Sequence, residues 1–458
     1  MNNTPNSERI HIGIFGNRNA GKSSVINAIT GQELAIVSEQ KGTTTDPVYK
    51  AMELLPLGPV VVIDTPGLDD VGDLGELRIS KSYQVLNKTD MCLLVIDANE
   101  GVREEDIRII RRMKDKKLPT LMVVNKVDLL EVNHPINDVK DKKLIQVMAD
   151  ESVEVVNHDQ ACLAELRCKE TIDAIRMKSL QMKSQSESGI VRYDWDVLSK
   201  ELDCPYIFVS ANSGFQIEEL KELIGQLYPR DKKNKYIVRD LIQAFDFVVL
   251  VTPIDESAPK GRLILPQQQT IREILEVSAV PILTTEGGLS EVVSSVGKEP
   301  ALVVTDSQAF AFVAENIPQH WKLTSFSILF ARYKGDLDTL VEGATYIREL
   351  KAGDTVLISE GCTHHRQCND IGTVKLPNWL TNYTKQELQF EFTSGMEYPM
   401  KLSKYALVIH CGGCMLNDKE MEHRILEAHN QGVPITNYGT AIAYMNEILE
   451  RSIEHITN

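Results

Sequence analysis

Five short segments hold residue types that bind and cut a nucleotide triphosphate. Gly16-Asn17-Arg18-Asn19-Ala20-Gly21-Lys22-Ser23 fits G-x-x-x-x-G-K-[ST] after an apolar run. Such a loop curls its backbone amides around phosphates, its lysine supplies a point charge, and its last hydroxyl reaches magnesium. Gly16, Asn17, Asn19, Ala20, Gly21, Lys22, Ser23 and Ser24 are therefore the expected phosphate binders. Asp64-Thr65-Pro66-Gly67 supplies a carboxylate for the magnesium shell and a glycine amide able to sense the terminal phosphate. In Asn125-Lys126-Val127-Asp128 the aspartate can accept two hydrogen bonds from guanine that adenine does not offer. Ser210-Ala211-Asn212 suits an amide contact to the guanine oxygen, and Thr44, in Gly42-Thr43-Thr44-Thr45-Asp46, is the expected second magnesium hydroxyl. Lys22, Thr44, Asp64 and Gly67 form the expected catalytic set for GTP with Mg2+. Leu68 stands where a glutamine could orient water, so unaided hydrolysis should be slow; Asp69, Asp70 and Glu76 are substitutes to consider.

A second chemistry lies near the carboxyl end. Cys411 and Cys414 form C-x-x-C inside His410-Cys411-Gly412-Gly413-Cys414, and Cys362-Thr363-His364 stands about fifty residues earlier, each after an apolar run. Glycines let both thiolates of the pair face one metal, and a following helix amino-terminus should favour deprotonation. A redox pair, a zinc site and an iron-sulfur site all use C-x-x-C. If the preceding runs are neighbouring parallel strands, Cys362 converges on the pair, which favours iron with an open coordination position. Zinc remains open, because Cys368 or a histidine could close a tetrahedron.

The elements that must position these residues read as α/β. The runs at 10–16, 59–64, 91–97, 118–124 and 205–210 are short, apolar and followed by polar turns, the pattern of a parallel sheet buried on both faces. Residues 131–200 read as a mostly helical insertion. A charged stretch at 228–240 separates a second set of runs at 245–251, 280–285, 301–306 and 325–331, and a third set at 355–362, 388–394, 404–414 and 433–439. The expected domains are 1–230 with the insertion, 236–333 and 334–458, with no repeat of solenoid length.

Bulk properties agree. At ~100 to 200 residues per domain, 458 residues imply several domains, and 43% hydrophobic with 25% charged residues is ordinary globular composition. A net charge of -16 has the wrong sign for wrapping nucleic acid. No apolar run approaches the ~20 residues of a membrane span, and the start lacks a signal-peptide pattern, so no membrane partner and a cytoplasmic location are expected.

Residues 10 to about 225 resemble the Era and tRNA-modification branch of translation-factor-like GTPases. That resemblance implies that Asn19 binds K+ against the phosphates. The phrases CTHHRQCNDIGTVKLPNW and VIHCGGCM, behind a GTPase domain, resemble the HydF family of FeFe-hydrogenase maturation GTPases across essentially the whole chain. The resemblance implies a P-loop GTPase domain, a small central α/β dimerisation domain and a carboxyl-terminal α/β cluster-binding domain. It implies a 4Fe-4S cluster on Cys362, Cys411 and Cys414, with His364 or His410 sometimes in the fourth position. It further implies a homodimeric scaffold that takes the two-iron subcluster precursor transiently from radical-SAM maturases and delivers it to apo FeFe-hydrogenase. The rival expectation is an RNA-binding GTPase of ribosome or tRNA modification with a structural zinc site.

Overall fold

The computed structural model describes residues 4–31, 47–67, 81–129, 195–229, 235–254, 263–361, 370–395 and 397–456. Thr44 with its neighbours, Leu68, Asp69, Asp70, Glu76, nearly all of the 131–200 stretch, Cys362, His364, His365 and Cys368 lie outside the described residues. The chain divides into two compact units, Met1–Arg230 and Asp231–Asn458.

The amino-terminal unit is built on six strands: β1 (Ile10–Phe15), β2 (Val48–Leu54), β3 (Gly58–Asp64), β4 (Met91–Asp97), β5 (Thr120–Asn125) and β6 (Tyr206–Phe208). Their order is β2-β3-β1-β4-β5-β6, and all pairs are parallel except β2 with β3. Every residue of β4 and β5 is buried because apolar cores cover both faces. Ile12, Leu93 and Val123 pack with Val25 and Ile26 of the Lys22–Thr30 helix and Leu220 of the Ile217–Leu227 helix. Leu94, Ile96 and Val124 pack on the opposite face with Ile109 and Met113 of the Glu104–Asp115 helix. The five apolar runs are β1, β3, β4, β5 and β6. The sixth strand, β2, is an edge strand with one wet face and a mixed sequence, VYKAMEL, which gives no apolar run to read.

The second unit holds two four-stranded, all-parallel sheets. The first contains β7 (Phe247–Val251), β8 (Val280–Thr284), β9 (Leu302–Thr305) and β10 (Leu323–Ser325) in the order β10-β9-β7-β8. The second contains β11 (Thr355–Glu360), β12 (Gln389–Ser394), β13 (Leu407–His410) and β14 (Ile435–Asn437) in the order β12-β11-β13-β14. In each, the first strand lies between the second and the third, so the chain reverses its direction of travel there and leaves a crevice at the carboxyl ends. One core joins the two halves, combining Val248, Val304 and Phe310 with Val408, Ile425 and Ile435.

The run at 325–331 departs from expectation. Ser325 ends β10 and caps the Phe326–Lys334 helix by accepting the Ile328 amide at 3.3 Å. Buried on nearly all sides, this helix shows the unbroken apolar run of a buried strand, which periodicity alone cannot distinguish.

Candidate functional site

The phosphate loop joins β1 to the Lys22–Thr30 helix. Gly16 (φ 143°) and Gly21 (φ 92°) occupy backbone that favours glycine, and neither has room for a side chain. A Cβ on Gly16 would lie 2.2 Å from the Val95 carbonyl, and one on Gly21 2.3 Å from Asn125 Nδ2. Lys22 Nζ donates to the loop's own carbonyls at Gly16 and Asn17, both at 2.9 Å. Ser23 Oγ donates to Asp64 Oδ2 at 2.8 Å, across neighbouring β1 and β3. Asp64 Oδ1 is buried with no hydrogen-bond partner. Burial raises the Asp64 carboxyl above its ordinary range, against the Lys22 charge, the Ser23 bond and Lys50. A hydroxyl beside a half-satisfied carboxylate, next to a lysine on a phosphate loop, suits a hydrated divalent cation. Asn19 is exposed at the loop tip with φ 63°, and Gly67 is the last described residue before the following segment.

Asn125 ties three parts of the site together. Its Nδ2 donates to the Ala20 carbonyl at 3.1 Å, and its Oδ1 accepts the Ala211 amide at 3.0 Å. Lys126 bonds Asp97 Oδ2 at 2.7 Å, and Asp128 is exposed in the Val127–Leu129 turn. Ser210 Oγ accepts the Ser213 amide at 3.1 Å, which folds the turn carrying Ala211 and Asn212. The base-reading segments and the phosphate loop are thus bonded to one another.

Sequence reasoning missed Asp106. Its carboxylate, 1% exposed, accepts Asn17 Nδ2 at 3.3 and 3.2 Å and the Arg103 amide at 2.9 Å. It therefore clamps the side chain of a phosphate-loop residue to the start of the Glu104–Asp115 helix. An acid three residues into a helix is a capping signal, and that was its only trace in the sequence.

In the second unit, β11 and β13 pair with Ser359 opposite His410, so the chain leaves both strands at one edge. The Gly361 amide donates to Cys411 Sγ at 3.0 Å, and the Gly413 amide reaches it at 3.4 Å. The helix after the pair begins only at Asp418, capped by Asn417. The helix thus starts beyond the pair rather than at it, and the amides that reach Cys411 Sγ are those of Gly361 and Gly413. Burial pushes the Cys411 thiol up to about 11, against both amide bonds. Burial also raises Cys414, against the Lys334 charge. Neutral thiols are thus favoured until a cation binds, which deprotonates them.

His410 is 0% exposed and has both ring nitrogens engaged. Arg424 Nη1 donates to Nε2 at 2.9 Å, and Nδ1 bonds the Cys411 carbonyl at 2.7 Å. Arginine can only donate, so Nε2 is the acceptor and Nδ1 carries the hydrogen. In this arrangement His410 is a buried strut rather than the occasional metal ligand expected. Arg424, itself 0% exposed, also bonds Glu420 at 2.8 Å, Ser359 at 3.3 Å and the Gly395 carbonyl at 2.8 Å. It pins the carboxyl ends of β11 and β13 and the turn after β12, and no spacing in the sequence announced it. Among the described residues, no group of three His, Cys, Asp or Glu side chains is placed to hold a metal. Cys92 and Cys204 are core residues of the first unit. No helix among the described residues is long and apolar enough to cross a membrane.

Three family models match the chain in order. They are a 50S ribosome-binding GTPase over residues 11–126, the hydrogen maturase F dimerization domain over 237–335 and the hydrogen maturase F tetramerization domain over 338–455. Among curated relatives, the tRNA modification GTPase MnmE of Nitrosomonas europaea is 39% identical over 123 residues, 27% of this chain and 27% of that one. GTPase Der of Clostridium botulinum is 37% identical over 141 residues, 30% of this chain and 32% of that one. The chain thus spans about a third or less of the length of these relatives. The solved structure of Aquifex aeolicus Era is 19% identical and covers 60% of this chain and 92% of that one, at a TM-score of 0.32, a superposition too loose to argue from. A GTPase domain followed by both hydrogen maturase F domains in tandem places the chain in one family: it belongs to hydrogen maturase F.

Proposed function

We propose that this chain is a GTP-hydrolysing scaffold that holds a 4Fe-4S cluster and carries the two-iron subcluster precursor from radical-SAM maturases to apo FeFe-hydrogenase. The observation that carries the cluster half is the 3.0 Å bond from the Gly361 amide to Cys411 Sγ. It brings the residue before Cys362 against the C-x-x-C turn, on the edge where a parallel sheet of this order offers its crevice. The donor set fits a thiolate-bound metal, since soft sulfur near backbone amides suits iron-sulfur ligation. Cys362, Cys411 and Cys414 would hold the cluster, whose remaining iron supplies an exchangeable coordination position. His364 is the side chain we propose near that position.

In the first unit, Lys22 and the loop amides hold phosphate, while Ser23, Thr44 and Asp64 hold magnesium. Asn125, Lys126 and Asp128 read guanine with the 210–212 turn, and Asn19 takes K+. Hydrolysis is slow and gates partner exchange through the 43–45 segment. We divide the chain at 1–230, 236–333 and 334–458. A homodimer suits the central part, because β8 is an edge strand with Val280 41% and Leu283 44% exposed, the kind of edge that pairs with a second copy. The net charge of -16 speaks against nucleic acid as partner.

Anaerobic reconstitution of the full chain tests the reading. Wild type and Cys368→Ser should each hold about four irons with matching sulfide, Cys411→Ser should lose them, and GTP turnover should rise when potassium replaces sodium. Bound zinc without iron would remove the scaffold, and equal rates in the two salts would remove the potassium site.

A further inference from the structure

The cysteine turn receives a buried charge from the end of the helix that leads into its part of the unit. Lys334 ends the Phe326–Lys334 helix, within the stretch that matches the dimerization domain, whereas both cysteines lie in the tetramerization stretch. Its side chain is 1% exposed, and its ammonium donates to the carbonyls of Cys414 at 3.3 Å and Leu416 at 2.9 Å. The same helix meets this edge again at its start. The Ser327 carbonyl accepts Asn437 Nδ2 at 3.1 Å, and a Cβ on Gly439 would lie 2.6 Å from Ser327 Cβ. One helix of the central part is therefore fixed along the carboxyl edge of the cysteine-bearing sheet.

Burying an ammonium is costly unless opposite charge or well-placed dipoles offset it. The neighbouring buried cation is committed elsewhere, since Arg424 faces Glu420, His410, Ser359 and the Gly395 carbonyl. Lys334, through its bonds to the Cys414 and Leu416 carbonyls, lies under the turn whose thiols become negative when a metal centre binds. We propose that Lys334, at the end of the helix that leads from the central part into the cysteine-bearing part, is the counter-charge and positioning residue of the cysteine site, and that it makes the bound cluster easier to reduce. The proposal rests on the cluster reading above. Reduction adds one electron and so one negative charge to the centre, and a fixed cation nearby stabilises the more negative state.

The test compares reconstituted full-length wild type, Lys334→Met and Lys334→Arg for iron content and, by a redox titration followed in the electron paramagnetic resonance spectrum, for midpoint potential. Lys334→Met should hold iron and reduce at a more negative potential, by about tenfold in the reduction equilibrium or about 59 mV for one electron. Lys334→Arg, which keeps the charge, should stay near wild type. If Lys334→Met sheds its iron instead, retention by Lys334→Arg supports the counter-charge, and loss in both variants overturns it. An unshifted potential in Lys334→Met, or equal shifts in both variants, also overturns it while leaving the cluster reading intact. A wild-type chain that takes up no iron overturns both.

Discussion

The two sheets of the carboxyl-terminal unit share one strand order and present different chemistry at the same edge. In the first, among the described residues between 247 and 325, the buried polar side chains are Gln267, Thr270, Thr305, Ser307, Thr324 and Ser325, all without charge. In the second, Glu360, His410, Glu420 and Arg424 are buried around the carboxyl ends of the strands, and Lys334 reaches in from the junction. The crossover order makes a crevice in both. Among the described residues, the ionisable groups under that crevice are what distinguish the second edge from the first.

The sharpest way to break this comparison is to remove the charge network. Arg424→Met leaves the Glu420 carboxylate buried without its partner and strips a donor from His410. Breaking a buried pair from one side costs about 3 to 5 kcal/mol. Thr324, in the first sheet, is the counterpart: its Oγ1 is buried with no partner, so Thr324→Val should be neutral or slightly stabilising. Denaturant unfolding of the metal-free chain measures both. A cost below about 1 kcal/mol for Arg424→Met would mean that the network is not what holds the second edge.

Closeness of cover gives a smaller contrast. The Leu337–Thr345 helix lies so near β14 that a Cβ on Gly343 would stand 1.9 Å from the Ile435 carbonyl oxygen. Backbone, not a flexible side chain, would have to yield, so Gly343→Ala should cost about 1 to 3 kcal/mol despite alanine's better helix propensity. At Gly287, beyond β8, nothing lies within 4 Å of the added carbon, and Gly287→Ala should stay within about 0.5 kcal/mol. Equal thermal shifts for the two variants would show the second sheet to be no more tightly covered than the first.

What the sequence disclosed follows from which signals are local. The loop at 16–23 and the segments at 64–67 and 125–128 are short, and their geometry is set by the strands they follow, so residue type and order made them readable as candidates. The strands buried on both faces were legible for the same reason, as unbroken apolar runs. The wet-faced β2 lacks such a run, and the Phe326–Lys334 helix imitates one. Asp106, Lys334 and Arg424 act across 89, 80 and 65 residues, on Asn17, Cys414 and Ser359 respectively. Long-range partners of this kind leave no periodicity or motif, because the fold alone makes them neighbours.

The pH dependence of stability offers the finest test. Burial first, and the Arg424 charge second, lower His410 from 6.5 to about 3, against its bond to the Cys411 carbonyl. Between those values the unfolded chain binds a proton that the folded chain refuses, so the metal-free unit loses stability as pH falls through 6.5 toward 3. One such proton contributes a slope of about 1.4 kcal/mol per pH unit. The first sheet buries no histidine among its described residues and should add none of this slope. His410→Asn should therefore flatten the profile between pH 6 and 5 by about that amount, whatever it does to stability at pH 8. Parallel profiles for wild type and variant would mean that the imidazole is protonated in the fold. Nε2 could then no longer accept from Arg424, and the strut beneath Cys411 would have to be rebuilt around a charged ring.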